Sequence, residues 1–276
     1  MNKLNIITAS LALGLSSTVT AGTMGPVAPQ TSDWYFTGGA GYSASRNADI
    51  RVFSGVWDNA AQGYNNDLGS TALLFAGVGY YITDYLSIDA RYEHRGDYRY
   101  KQYQTGANTG TSGFTGSART RFFDVSSDAA MFSAWLDLGN LSPQLQWAAN
   151  GITITPFVGA GLGVDYLDVS NFRTVGNSFV DGNQVLRSEV SSINQTTTDS
   201  AFAWHVGAGL AAQLTPKTSL AVGYNYFDGG KLPFPNYITS STTSPNAALG
   251  RNGVTVPAWD GRLTANEVYA ELRVRF

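Results

Sequence analysis

Eight stretches of this chain alternate between two kinds of side chain with a period of two, and that pattern leaves few folds open. They lie at roughly 33–46, 70–82, 85–96, 121–138, 151–167, 200–214, 218–228 and 263–276, each followed by turn residues. In the third, Leu86, Ile88, Ala90 and Tyr92 fall on one face of a strand; Ser87, Asp89, Arg91, Glu93 and Arg95 fall on the other. The last repeats the arrangement. Val268, Ala270, Leu272, Val274 and Phe276 oppose Tyr269, Glu271, Arg273 and Arg275. Slipping such a strand by one residue exchanges its faces, so its register is strongly specified once one face meets an apolar medium. The first, second and fifth stretches are apolar on both faces and gain their assignment from their place in the series.

The connections alternate too. Those at 47–69, 97–120, 168–199 and 229–262 are long, those at Thr83-Asp84 and Thr215-Pro216-Lys217 are tight, and 139–150 is intermediate. Long loops on one side and short turns on the other are the habit of strands that cross an outer membrane. At the start, Met1-Asn2-Lys3 is basic, Leu4 to Leu15 is mostly apolar, and Val19-Thr20-Ala21 is small. This predicts a cleaved signal peptide over 1–21 and a single domain over 22–276. Its apolar part is too short to span a bilayer. Charged residues make up 13% of the chain, about half the soluble average, and aromatics also 13%. A barrel accounts for the deficit, because one face of every strand meets lipid. No cysteine is present, which removes disulfides and thiolate chemistry, and the net charge of −3 argues against nucleic acid as a partner.

Several runs carry a family likeness: Gly77-Val-Gly-Tyr80, Leu86-Ser-Ile-Asp-Ala-Arg-Tyr92, Thr155-Pro-Phe-Val-Gly-Ala-Gly161, Leu220-Ala-Val-Gly-Tyr-Asn-Tyr226 and the terminal Phe276. Together the chain resembles the small eight-stranded porin-like barrels of the opacity and outer-membrane-protein-A transmembrane type. The resemblance implies an all-β, antiparallel, eight-stranded transmembrane barrel of the bacterial outer membrane. It would carry four long extracellular loops and three shorter periplasmic turns, and no peptidoglycan-binding domain is seen. It also implies that Phe276 is the signal read by the barrel-assembly machinery. The expected surroundings are outer-membrane lipid and lipopolysaccharide, with host surface molecules as further partners, and the expected state is a monomer.

Inward positions define the first candidate site. Asp89, Arg91, Glu93, Arg95, Asp165, His205, Glu271, Arg273 and Arg275 would form an interior network of four acids, four arginines and a histidine. It reads as a channel lining or as a self-neutralising plug. Eight strands leave a lumen that side chains just fill, which favours the plug. A second candidate is a basic mouth of Arg99, Lys101, Arg119 and Arg121, expected on inward positions of one hairpin and suited to lipopolysaccharide phosphates or other polyanions. Arg95-Gly96-Asp97 matches the tripeptide that integrins recognise.

Other motifs favour structure over chemistry. The glycines of Gly159-Ala-Gly-Leu-Gly163 and Gly207-Ala-Gly209 sit inside strands, where they relieve crowding, rather than in a phosphate-binding turn before a helix. His94 and His205 are the only imidazoles. Local spacing places no serine or acid beside His94, so no catalytic set, metal site or cofactor is expected. The reading is a non-enzymatic surface protein acting in envelope structure, adhesion or lipopolysaccharide contact. A narrow channel for small solutes is the alternative, and a lipid A-modifying enzyme is the third.

Overall fold

The computed structural model describes residues 33–52, 67–106, 116–149, 152–180, 183–192, 196–234, 239–243 and 259–276. The segment expected to be a signal peptide, residues 1–21, lies outside them. Eight strands form the body: β1 (Trp34–Ser45), β2 (Ser70–Tyr81), β3 (Leu86–Gly106), β4 (Gly116–Asp137), β5 (Ile152–Val180), β6 (Thr197–Thr215), β7 (Thr218–Lys231) and β8 (Arg262–Arg275). Each pairs antiparallel with its neighbour in sequence, and β1 pairs with β8 from Tyr35↔Arg275 to Ser45↔Ala265. Over the eight strands the sheet is therefore a closed antiparallel barrel, as a spanning sheet must be when lipid offers no hydrogen bonds.

An apolar belt faces outward. Phe36, Leu74, Val78, Phe132, Leu162, Val206, Val222 and Leu272 are all exposed on it. Aromatic residues bound the belt at each end, as interfacial girdles do. Near the chain termini Trp34 packs on Tyr80 at 5.2 Å and Phe36 stacks on Phe276 at 4.7 Å. At the other end lie Tyr42, Tyr92, Tyr166 and Tyr224.

Three strands run far past that upper girdle. Residues 97–106 and 168–180, expected as loop, remain in strands β3 and β5, and β4 begins at Gly116 rather than 121. Above the girdle the pattern inverts. Outward positions of β4 change from Phe132 and Ala130 to Asp128, Ser126 and Asp124, while Val125 and Phe123 turn inward and are buried. In β5 the outward series Leu162, Val164 and Tyr166 passes to Asp168 and Ser170, with Leu167 and Val169 inside.

Two bulges complete the inversion. In β3, Gly96 and Asp97 together oppose Ser126, since Arg95 pairs with Ser127 and Tyr98 with Val125. The extra residue changes the parity, so Tyr98, Tyr100 and Gln102 point inward. In β5 the same happens at Asn171, whose φ of +53° is left-handed and whose side chain donates to Asp124 at 2.7 Å. The following Phe172 turns in.

The upper interior is thus an apolar core. Phe123 is its centre, stacked on Tyr100 at 4.4 Å and meeting Phe172, Phe234 and Trp259 between 5.2 and 6.1 Å. Ala48, Ile50, Leu68, Leu232 and Trp259 join it from the connections outside the strands. Backbone bonds hold these connections over the mouth: Arg46 N to Thr264 O at 3.0 Å, Arg262 N to Ala48 O at 2.7 Å and Leu232 N to Gly261 O at 2.9 Å. At the opposite end a short helix, α1 (Leu138–Leu141), and a 3₁₀ turn at Pro143–Leu145 fold beneath the barrel.

Candidate functional site: a filled interior and an outer cationic face

Below the apolar core, alternation delivers charge to the axis. Arg91 bonds both oxygens of Asp89, one through Nε at 3.0 Å, and its Nη1 lies 3.6 Å from Glu271. Glu271 also pairs with Arg273 and accepts from Thr37 at 2.8 Å. Trp135 Nε1 donates to Asp89 at 2.8 Å. One layer higher, Arg95 binds Glu267 at 2.6 Å and Glu93 at 2.7 Å, and its guanidinium lies 3.4 Å from the Phe227 ring centre. Ser43 donates to Glu267 at 2.8 Å and bonds the Tyr98 hydroxyl at 2.6 Å. Every one of these charges is held by a partner, which is what burial of charge requires.

The network differs from the expected one in three respects. Glu267, fully buried, is the main partner of Arg95. It lies on the same inward parity as Glu271, so the sequence signal for it is present though the expected network lacks it. Arg275 is not in the network; it lies at the lower mouth with its guanidinium 3.7 Å from the Tyr81 ring centre. The buried charges are therefore not balanced. Asp89, Glu93, Asp165, Glu267 and Glu271 stand against Arg91, Arg95 and Arg273, and among the described residues Asp165 accepts from Ser127 alone, at 2.8 and 2.9 Å. His205 bonds Ser133 at 2.9 Å inside the barrel, packed against Trp135. Glycine makes room for it: a Cβ on Gly161 would collide with the His205 ring and Ser133. The strand glycines open space for large neighbours and form no phosphate-binding turn.

On the outer surface the expected basic mouth is rearranged. Arg99 and Lys101 are exposed and point outward, because the Gly96–Asp97 bulge reverses the parity that Arg95 obeys. Backbone register sets Arg121 opposite Gln102 and Arg119 opposite Gln104. The side chains at 119 and 121 lie outside what is described. Lys101 sits over Phe122 at 5.8 Å, and neither Arg99 nor Lys101 has an ion-pair partner among the described residues. Arg95 is fully buried. Arg95-Gly96-Asp97 therefore cannot present its arginine to an integrin.

His94 lies half-exposed at the girdle with an acid that local spacing did not supply. Asp128, across the strand, binds His94 Nδ1 at 2.6 Å and accepts from the Tyr92 hydroxyl at 2.5 Å. Among the described residues no serine contacts this pair, and no cluster of three His, Asp or Glu could hold a metal ion.

The sequence signature of the outer membrane protein β-barrel domain matches residues 8–276. The chain belongs to that family. It is a protein of the bacterial outer membrane. Among curated proteins none matches the sequence. Solved structures similar to this one include neisserial surface protein A, at 16% identity, covering 89% of this chain and 99% of that one with a TM-score of 0.41. OprG of Pseudomonas aeruginosa is similar at 11% identity, with coverages of 89% and 97% and a TM-score of 0.41. Ail of Yersinia pestis, solved with the heparin analogue sucrose octasulfate, has 10% identity, coverages of 88% and 99% and a TM-score of 0.31. These likenesses are too distant to pass a function to this chain.

Proposed function

We propose that this family member is a non-enzymatic surface protein with a closed lumen, acting through the part that stands above the membrane. What supports this reading is the two-part filling of the interior, with two layers of paired charge capped by the apolar core around Phe123. A channel would need a polar path through that core. An acyl-transfer enzyme would need an accessible nucleophile, and the Ser133–His205 pair is sealed inside.

The ligand class follows from Arg99 and Lys101. At about 3.3 Å per residue and the usual ~40° strand tilt, they stand on the order of 15 Å beyond Tyr92. That is the level of the sugar-phosphate layer of lipopolysaccharide, not of the hydrocarbon. Guanidinium and ammonium groups that have no ion-pair partner among the described residues suit phosphate or sulfate there. Phe276, stacked on Phe36 at the lower rim, is proposed as the residue read during assembly. The test is conductance in planar bilayers. The folded protein should give no reproducible single-channel steps, and stable steps of defined size would overturn the closed-lumen reading.

A further inference from the structure

The two ends of the interior are finished differently. Where the apolar core seals the upper end, the lower end opens into a cavity of about 340 Å³. That is the size of a small-ligand site. Trp135, Phe157 and Tyr81 form aromatic walls, and the connector after β4 forms a fixed lip. Asn140 of α1 donates to the Asp84 carbonyl at 2.9 Å, and Gln146 donates to the Gly139 carbonyl at 3.0 Å. The lip is thereby tied to both the neighbouring turn and itself.

The charges on the wall are unevenly spent. Arg273 is 9% exposed, its Nε engaged with Glu271, and its Nη2 has no hydrogen-bond partner. Glu271 cannot neutralise it fully, because the same carboxylate also serves Arg91. Arg275 has no ion-pair partner among the described residues and rests on Tyr81. The one acid lining the cavity is Asp137, and both of its oxygens already accept. Oδ1 takes the Asn140 N–H at 2.9 Å, and Oδ2 takes the Thr155 hydroxyl at 3.2 Å. Positive charge is left over on this wall, and its one carboxylate is already hydrogen-bonded.

We propose that this vestibule is a periplasm-facing binding site for a small carboxylate with an aromatic or apolar body. The carboxylate would accept charge-assisted hydrogen bonds from the Arg273 and Arg275 guanidiniums, the stronger for lying out of bulk water. The body would displace water from Trp135, Phe157 and Tyr81. With Glu271 already on Arg273, less than two positive charges are uncompensated, which suits a singly charged group better than a phosphate dianion. A cationic ligand would meet two arginines and a carboxylate that is already occupied. This site is independent of whatever the outer face binds.

The test uses the full-length barrel folded in detergent, titrated calorimetrically with 3-phenylpropionate and with its uncharged amide. The expected result is saturable one-to-one binding of the carboxylate, with the amide about tenfold weaker or more, as loss of a charged hydrogen bond predicts. Two variants separate this site from detergent partition. Arg275→Gln should weaken the carboxylate but not the amide, and Ser219→Phe, which fills the cavity, should abolish both. Equal affinity for acid and amide overturns the proposal. So does carboxylate binding that both folded variants leave unchanged.

Discussion

Strand β5 passes through two environments, and its two halves are built in opposite senses. From Val158 to Tyr166 its apolar residues face out, and Asp165 faces in; from Leu167 to Phe172 the apolar residues face in, with Asp168 and Ser170 outside. The lower half is a membrane barrel, whose solvent is lipid and whose interior can therefore take charge. The upper half is a small soluble β-protein, whose solvent is water and whose interior must be apolar. The difference teaches where the bilayer ends: between Tyr166 and Asp168 on β5, and between Ala130 and Asp128 on β4. It also explains why the interior is packed twice, by ion pairs below and by ring packing above.

The sharpest way to break this comparison is to remove a charge from the lower half. Arg95→Met would strand the Glu93 and Glu267 carboxylates and should cost about 3–5 kcal/mol in urea unfolding. Adding Glu267→Met should recover part of it, and a near-neutral single variant would show that the network carries no stability. A large but local effect is expected above. Trp259→Ala should cost the cap roughly 3 kcal/mol, as for a large aromatic lost from a soluble core. Limited proteolysis should then cut the outer connections while the barrel keeps its heat-resistant migration; collapse of both together would mean the halves are one cooperative unit.

The boundary itself is tested on the outer surface. Leu162→Arg, within the belt, should destabilise by about 2–4 kcal/mol, whereas Ser126→Arg, above it, should stay within about 0.5 kcal/mol. Equal costs would move the membrane edge. Smallest in stability, though not in binding, is Arg99→Gln with Lys101→Gln. Folding should change by no more than about 0.5 kcal/mol. Retention on heparin and affinity for lipopolysaccharide should both fall, most clearly at low salt where exposed charges are least screened. Undiminished binding of both ligands would remove the outer cations from the function.

The membrane half was legible because period-two alternation carries it almost alone. Asp89, Arg91, Glu93 and Arg95 share a face by parity, and parity is all that a regular strand obeys. Glu267 is legible on the same ground, since it shares the inward parity of Tyr269, Glu271 and Arg273. The inward placement expected of Arg99 and Lys101 failed for a physical reason. Gly96 and Asp97 insert one residue against Ser126, and a single bulge turns every later side chain to the other face. Nothing local marks that bulge apart from the glycine. Asp128 beside His94 was equally hidden, because the contact crosses from β3 to β4 and is set by their register.

Composition and alternation settle the compartment, the strand count and the sign of each face within the bilayer, because lipid allows no other arrangement of polar backbone and charged side chains. The packing of the interior depends on contacts distant in sequence. Trp259 reaches Phe123 and Phe172, Glu267 reaches Arg95, and the chain around Ala48 folds back over the mouth. Such meetings follow from register, bulges and the paths of the connections, and only the folded barrel decides them.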